Sequence, residues 1–357
     1  MDLILKPTAA CNFKCSFCSS THDSIQGEEQ NVELERVEQF LKRYPDTTTV
    51  IVNGGDPLMM KPAYYWQILE MMEKYAPKAV LSFTSNLWAF YKKPEMWTEL
   101  FRHPQVGVIT SFQYGNKRLK GDLTPFTEEE FWKISDMMLE RVGYRPSFIA
   151  VIDSDNEHTV MDTVLLAKKM GVECKINPAL SSGKPTYFKG IKIGNAGKMF
   201  TVGDIYKHYV AIHKAGLTEW EYNTKQMAKR LRNSATTCPL ASDCDSHIRA
   251  IQPNGYYSCG AFADDNAYPI DFEAEMQGAK FTPLSSAPQL FSLKDSCLEC
   301  PMFLICNGCK KTTSDMKELG LVEKHCRTMK SLAQDIIDAN DMGQYLQPTP
   351  YLNEHDT

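Results

Sequence analysis

Residues 11–18 read Cys11-Asn12-Phe13-Lys14-Cys15-Ser16-Phe17-Cys18, three thiols spaced C-x3-C-x2-C directly after the apolar run Leu3 to Lys6. That run opens a series of β-rich segments, continued by Thr49 to Asn53, Val80 to Ser85, Val106 to Phe112, Phe148 to Ile152 and Val172 to Ile176. Helix-like stretches lie between them, at Ala63 to Tyr75, Glu128 to Arg141 and His158 to Met170. Thr127 with Glu130 three residues later reads as a capping box for the second helix. Strands alternating with helices build a parallel sheet, because successive parallel strands need a long crossover. Six such units curve into an α/β fold, a partial (β/α)6 relative of the eight-unit TIM barrel, whose chemistry sits at the C-terminal strand ends. The cysteine triplet falls at such an end.

Beyond Ser181 the pattern changes to a glycine, lysine and aromatic loop, SSGKPTYFKGIKIGNAGK, and then to helices ending around Asn233. From Cys238 to Cys326 the chain is cysteine-dense and reads as loop, with a helix expected over Thr328 to Asp338. The expected division is a barrel over 1–200, a helical linker over 201–237, a cysteine-rich domain over 238–340 and a tail over 341–357.

The 357 residues, 43% of them hydrophobic, are enough for one large core with an appendage. A formal charge of -5 gives no overall attraction to nucleic acid or to an anionic membrane. The N-terminus lacks the basic and apolar regions of a signal peptide, and no stretch approaches the roughly 20 apolar residues of a membrane span. The expected location is therefore cytoplasmic, with no membrane partner. Twelve cysteines in a reducing compartment point to metal ligation instead of disulfides.

A cubic iron-sulfur cluster ordinarily takes four thiolates, so three close-set cysteines leave one iron open. A partial zinc site or three packed cysteines are the other readings of such a triplet. With the aromatic Phe17 before its third cysteine, the motif resembles that of the radical SAM superfamily. The resemblance implies that Cys11, Cys15 and Cys18 hold a 4Fe-4S cluster whose open iron binds S-adenosyl-L-methionine (SAM) for one-electron cleavage. Asn53-Gly54-Gly55-Asp56-Pro57, after the second strand, is similar to the superfamily's Gly-Gly-Glu-Pro turn with Asp in place of Glu. Glycines there let backbone approach a ligand closely. Ser85 and Asn86 end the third strand, and Ser111 and Gln113 the fourth. The resemblance, which covers residues 1 to about 180, implies that these residues, the turn and Phe17 contact SAM. An ordinary turn and polar strand ends are the plainer alternatives.

Eight further cysteines could form two four-thiolate sites. The run Cys297, Cys300, Cys306, Cys309 with the later Cys326 resembles the SPASM domain, the cluster-bearing extension found in anaerobic sulfatase-maturating enzymes. That resemblance implies two auxiliary 4Fe-4S clusters, one on Cys238, Cys244, Cys259 and Cys309 and one on Cys297, Cys300, Cys306 and Cys326. A zinc knuckle on Cys297, Cys300, Cys306 and Cys309 is the competing reading. The spacing departs from the family's at Cys306 to Cys309 and at Gly255 to Cys259, which leaves the pairing open. Gly260 also stands where the sulfatase-maturating enzymes carry an Asp base. Asp264, Asp265, Tyr256 and its neighbour Tyr257 are the nearby candidates for a proton acceptor or a radical-stabilising ring, against a solvated turn and packed rings. Cys174, in mid-strand, reads as a core residue.

Many SPASM enzymes modify ribosomal peptides with the help of an N-terminal leader-binding module, and only ten residues precede Cys11 here. The expected function is modification of a peptide or protein residue by oxidation or cross-linking, with an electron donor such as flavodoxin or ferredoxin. The second reading is radical modification or isomerisation of a nucleoside or nucleic-acid base, possible targets including one decorated with an amino acid. It rests on Lys225, Lys229 and Arg232 sharing a helix face beside Arg230, and on the run that includes Lys184, Tyr187, Phe188, Lys189, Lys192 and Lys198. A non-enzymatic iron-sulfur or zinc module is the third.

Overall fold

The β-rich segments become strands because alternate side chains drop into one continuous core: Leu3, Leu5, Val50, Val52, Leu81, Phe83, Phe148, Ala150 and Ile152 are all fully buried. The strands are β1 (Asp2–Leu5), β2 (Thr49–Val52), β3 (Val80–Thr84), β4 (Val106–Ser111), β5 (Phe148–Ile152) and β6 (Cys174–Pro178). They pair in chain order, all parallel, with Leu3 opposite Val50, Val50 opposite Leu81, Leu81 opposite Val106 and Phe148 opposite Cys174. This computed structural model describes residues 1–18, 24, 31–181, 186–194, 199–231, 247–258, 269–280, 294–306 and 310–340.

The intervening helices stand close to the expected positions, at Pro62–Tyr75, Glu128–Val142 and Val160–Met170. The capping box forms, Glu130 N–H donating to Thr127 Oγ1 at 3.2 Å and Thr127 N–H to Glu130 Oε2 at 2.9 Å. The sixth strand starts two residues later than its β-branched start suggests. Gly171 closes the preceding helix in the left-handed region (φ +69°), and Val172 N–H caps it on Ala167 O. Cys174 is buried as expected, its thiol 3.3 Å from Trp220 O.

Two expectations are corrected. The segment read as cysteine-rich loop contributes strands to the main sheet: β9 (Ile248–Gln252) pairs parallel to β1, and β10 (Gly255–Tyr257) pairs antiparallel to β9. The sheet thus has eight strands, in the order β10-β9-β1-β2-β3-β4-β5-β6. Its outer end is fixed by Arg249, whose guanidinium donates twice to Glu275 Oε1, at 2.7 and 3.0 Å, with both side chains buried. A second, separate pair of strands, β7 (Thr186–Phe188) and β8 (Ile191–Ile193), forms a hairpin.

The other correction concerns the basic face. The helix there spans only Tyr222–Met227 and turns inward, because the buried Glu221 carboxylate accepts from Ile176 N–H, Asn223 N–H and Thr224 N–H. Lys225 is held by Glu173 at 2.5 Å and Arg230 is buried, so these residues make no exposed row for a phosphate backbone. Arg232, Lys184 and Lys198 lie outside the described residues. The helix Val322–Ala339 begins earlier than expected and packs along Val202–Lys214. No helix among the described residues is long and apolar enough to cross a membrane.

Candidate active site

The cysteine triplet occupies the loop that leaves β1, and its neighbours on the sheet hold it in place. Lys14 N–H donates to Leu119 O at 2.8 Å and Ser16 N–H to Lys117 O at 2.9 Å, so the loop is stitched to the segment after β4. The Phe13 ring is buried edge-on against Trp88 and Phe126. Burial pushes the Cys11 thiol well above its ordinary range, with Asp56 and Cys15 adding to the effect. Burial likewise pushes Cys15 up to about 11, opposed by the Arg118 cation. Cys11 and Cys15, raised this way, ionise readily only with a cation beside them.

The Asn53 to Pro57 turn is pressed against that loop. A Cβ on Gly55 would lie 2.1 Å from Ala10 O and 2.4 Å from Ala9 O. Gly54 sits at φ +117°, a conformation that favours glycine. The turn's N–H groups at Gly55 and Asp56 donate to Thr8 O (3.1 Å) and Ala10 O (2.8 Å). The glycine therefore serves the close approach of two backbone segments. Asp56, expected among the ligand contacts, is a buried tie between strand ends. Its carboxylate accepts from Leu58 N–H (2.9 Å), Ser85 Oγ–H (3.0 Å) and Asn86 N–H (2.9 Å). Burial pushes it up to about 6, with those donors opposing. Asn86 in turn donates to Asn12 Oδ1 inside the triplet at 2.7 Å and accepts from Trp88 N–H.

Ser111 and Gln113 meet through a residue that sequence reasoning passed over. Arg118 donates to Ser111 Oγ at 2.9 Å and Gln113 Oε1 at 3.3 Å, and its guanidinium lies 5.3 Å from the Phe17 ring centre. It is buried, and its Nε has no hydrogen-bond partner among the described residues. Asn53 Oδ1 is likewise buried and has no hydrogen-bond partner among the described residues. Arg118 lies in the run Lys117-Arg118-Leu119-Lys120, a basic cluster that was the one available signal.

Residues 5–167 match the Radical SAM superfamily. That region is a radical SAM domain. A serine-type anaerobic sulfatase-maturating enzyme of Klebsiella aerogenes is 26% identical over 126 residues, which are 33% of this chain and 30% of that relative's length. The fold is shared with native anSMEcpe with bound AdoMet and Cp18Cys peptide (TM-score 0.67, 14% identity, 96% of this chain and 99% of that one). It is shared also with Streptococcus suis SuiB bound to S-adenosylmethionine (TM-score 0.56, 18% identity, 86% and 72%).

Two cavities are also candidate parts of the site. A cavity of about 700 Å³ opens beside Ser16, between the C-terminal ends of β5 and β6, the β7-β8 hairpin and the start of the helix Val322–Ala339. Its wall carries Lys117, bound to Asp153 and Asp155 at 2.5 and 2.6 Å, and Lys324, bound to Asp204 at 2.8 Å. Lys192 and Lys207 line it without an ion pair among the described residues. Gly194 N–H donates to Ser16 O, tying the hairpin to the triplet.

The second is a small apolar cavity lined by Cys297, Cys300, Cys306 and Cys326. These are the four cysteines that the resemblance grouped. Burial pushes Cys306 well up, and the other three cysteines add to it. A single zinc draws four donors to about 2.0–2.3 Å. Among the described residues no three His, Cys, Asp or Glu side chains are gathered for one ion. Cys238, Cys244, Cys259, Cys309, Asp264 and Asp265 lie outside the described residues. Tyr256 is placed on β10, buried edge-on to Phe272 beside the Arg249–Glu275 pair, and is not among the residues lining the polar cavity.

Proposed function

We propose that this radical SAM enzyme abstracts hydrogen from a residue of a peptide or protein, with oxidation or cross-linking as the outcome. The observation that carries the cofactor reading is the pair of orphaned buried atoms around the triplet, Asn53 Oδ1 and Arg118 Nε. One accepts and the other donates, the complement of the ammonium and carboxylate at the amino-acid end of SAM. Cys11, Cys15 and Cys18 would hold a 4Fe-4S cluster, and Cys297, Cys300, Cys306 and Cys326 an auxiliary one. When bound, the first cluster and SAM supply a one-electron route to a carbon radical able to take hydrogen from an unactivated C–H bond.

The chain's own residues position and shield. Asp56 fixes the turn and the β3 end as one unit, and Asn86 extends that unit to Asn12. Arg118 neutralises charge beside Cys15 and presents its free Nε edge for a carboxylate. The polar cavity receives the substrate. Its size suits a few residues of a chain, and its charges of both signs suit a polar main chain better than a lipid or a hydrocarbon. The relative solved with a peptide supports that substrate class.

The test is SAM cleavage by anaerobically purified protein with a chemical reductant. The unaltered enzyme yields 5'-deoxyadenosine, whereas the protein with Cys11, Cys15 and Cys18 replaced by Ala yields none. Cleavage that survives this replacement refutes the cofactor reading. A product lighter by two hydrogen atoms supports oxidation, and one of unchanged mass refutes it.

A further inference from the structure

The helix Val322–Ala339 brings two adjacent residues, His325 and Cys326, to the cavity that Cys297, Cys300 and Cys306 also line. His325 is fully buried. Its Nδ1 accepts the backbone N–H of Gly203 at 3.2 Å, from the first turn of the helix Val202–Lys214. That contact is built in, because a Cβ on Gly203 would lie 2.9 Å from Thr328 Cβ and 3.2 Å from His325 O. Only glycine lets the two helices come this close.

A ring nitrogen that accepts an N–H carries no proton, so the proton of the neutral imidazole sits on Nε2. Nε2 is buried and has no hydrogen-bond partner among the described residues. A buried donor with no acceptor points to a group that completes it. The two ring nitrogens diverge, so the edge bearing Nε2 is turned from Gly203, and the His325 side chain itself lines the cavity. The other side chains lining that cavity are the four cysteines, Met302, Met329, Phe303 and Lys330. Every acceptor among them is a sulfur.

We propose that His325 donates its Nε2–H to a sulfur of the auxiliary cluster on Cys297, Cys300, Cys306 and Cys326, and so raises that cluster's reduction potential. The inference rests on the reading that these four cysteines hold a cluster. A hydrogen bond to cluster sulfur favours the reduced form, which carries the extra negative charge. The Gly203 contact fixes the tautomer, which makes His325 a positioning and tuning residue with no contact to substrate.

The test is a redox titration of the fully loaded protein followed by electron paramagnetic resonance. His325→Phe should retain iron and sulfide and shift the reduction equilibrium of one cluster about tenfold toward the oxidised form, a fall of ~59 mV for a one-electron couple. His325→Gln, which keeps an N–H donor, should recover most of that shift. Should the variants fold poorly, the unaltered protein carries the test: the reduced cluster should show coupling to a histidine-borne proton that exchanges in D2O. An unchanged potential in iron-replete His325→Phe, or the absence of that exchangeable proton, overturns the proposal. Ser replacements at Cys297, Cys300, Cys306 and Cys326 that leave the iron content unchanged overturn the underlying cluster reading instead.

Discussion

Gly55→Ala separates two roles for the glycine-rich turn, packing against the cysteine loop and admitting a ligand. The added methyl would stand 2.1 Å from Ala10 O and 2.4 Å from Ala9 O, both main-chain atoms that cannot rotate aside. The turn must retreat, which breaks the bonds from Asp56 N–H to Ala10 O (2.8 Å) and from Gly55 N–H to Thr8 O (3.1 Å). Each buried group left unmade costs about 1–3 kcal/mol, so the variant should lose about 2–6 kcal/mol. That is a large share of the roughly 5–15 kcal/mol that holds a domain folded. Gly107→Ala is the control, since a Cβ there meets nothing within 4 Å on a strand that prefers a side chain to none. Urea unfolding of the metal-free proteins gives the stabilities, and iron content after reconstitution reports the loop. The expected result is a destabilised Gly55→Ala with less iron beside a Gly107→Ala within about 0.5 kcal/mol of the unaltered chain. If Gly55→Ala keeps full stability and full iron while SAM binding alone falls, the packing argument is wrong.

Arg118→Gln leaves a neutral, shorter amide and removes the charge facing Cys15 and Phe17. SAM affinity should fall by at least roughly tenfold, the range for a lost hydrogen bond to a charged group, with iron content intact; an unchanged dissociation constant in equilibrium dialysis would falsify the carboxylate role. Glu275→Gln leaves the Arg249 guanidinium buried without its counter-charge and should cost about 3–5 kcal/mol in urea unfolding at pH 7. Burial pushes the Glu275 carboxyl up, but the bonds from Arg249 outweigh it and hold the group below its ordinary range. A depressed value stabilises above the unfolded carboxylate range near pH 4.3 and loses that contribution as pH falls through the folded value. The variant's disadvantage should therefore shrink on acidification, and a gap that widens in acid would contradict the pairing.

The six parallel strands and the triplet were legible because both are local patterns: β-branched runs of strand length, and thiols within eight residues. What escaped the reading is non-local. Ile248–Gln252 is short, sits among cysteines, and becomes a strand only because β1 offers it a free edge. Arg118 has no motif, and its role depends on the loop folding back so that Ser111, Gln113 and Phe17 meet around it. Gly55 was read as a close-approach residue toward a ligand, and nothing in the turn itself shows that Ala9 and Ala10 also lie beneath it. The basic segment failed for an electrostatic reason: the spacing of Lys225 and Lys229 carries no trace of Glu173 opposite the first of them. Cys326 was grouped with Cys297, Cys300 and Cys306 on the family pattern alone, and the four line one cavity.

The pairing of β1 with β9 also sets an order of events during synthesis. Asp2 to Leu5 leave the ribosome ahead of the other strands of the sheet, yet their partners Ile248 to Ile251 emerge after the whole succession of β/α units. Until then β1 is an open edge, with unpaired N–H and C=O groups along one side and the triplet loop at its end. Domains assemble as the nascent chain lengthens, and distant strand pairings close late. A ribosome that stalls before β9 would thus release a chain whose first strand is a template for aggregation.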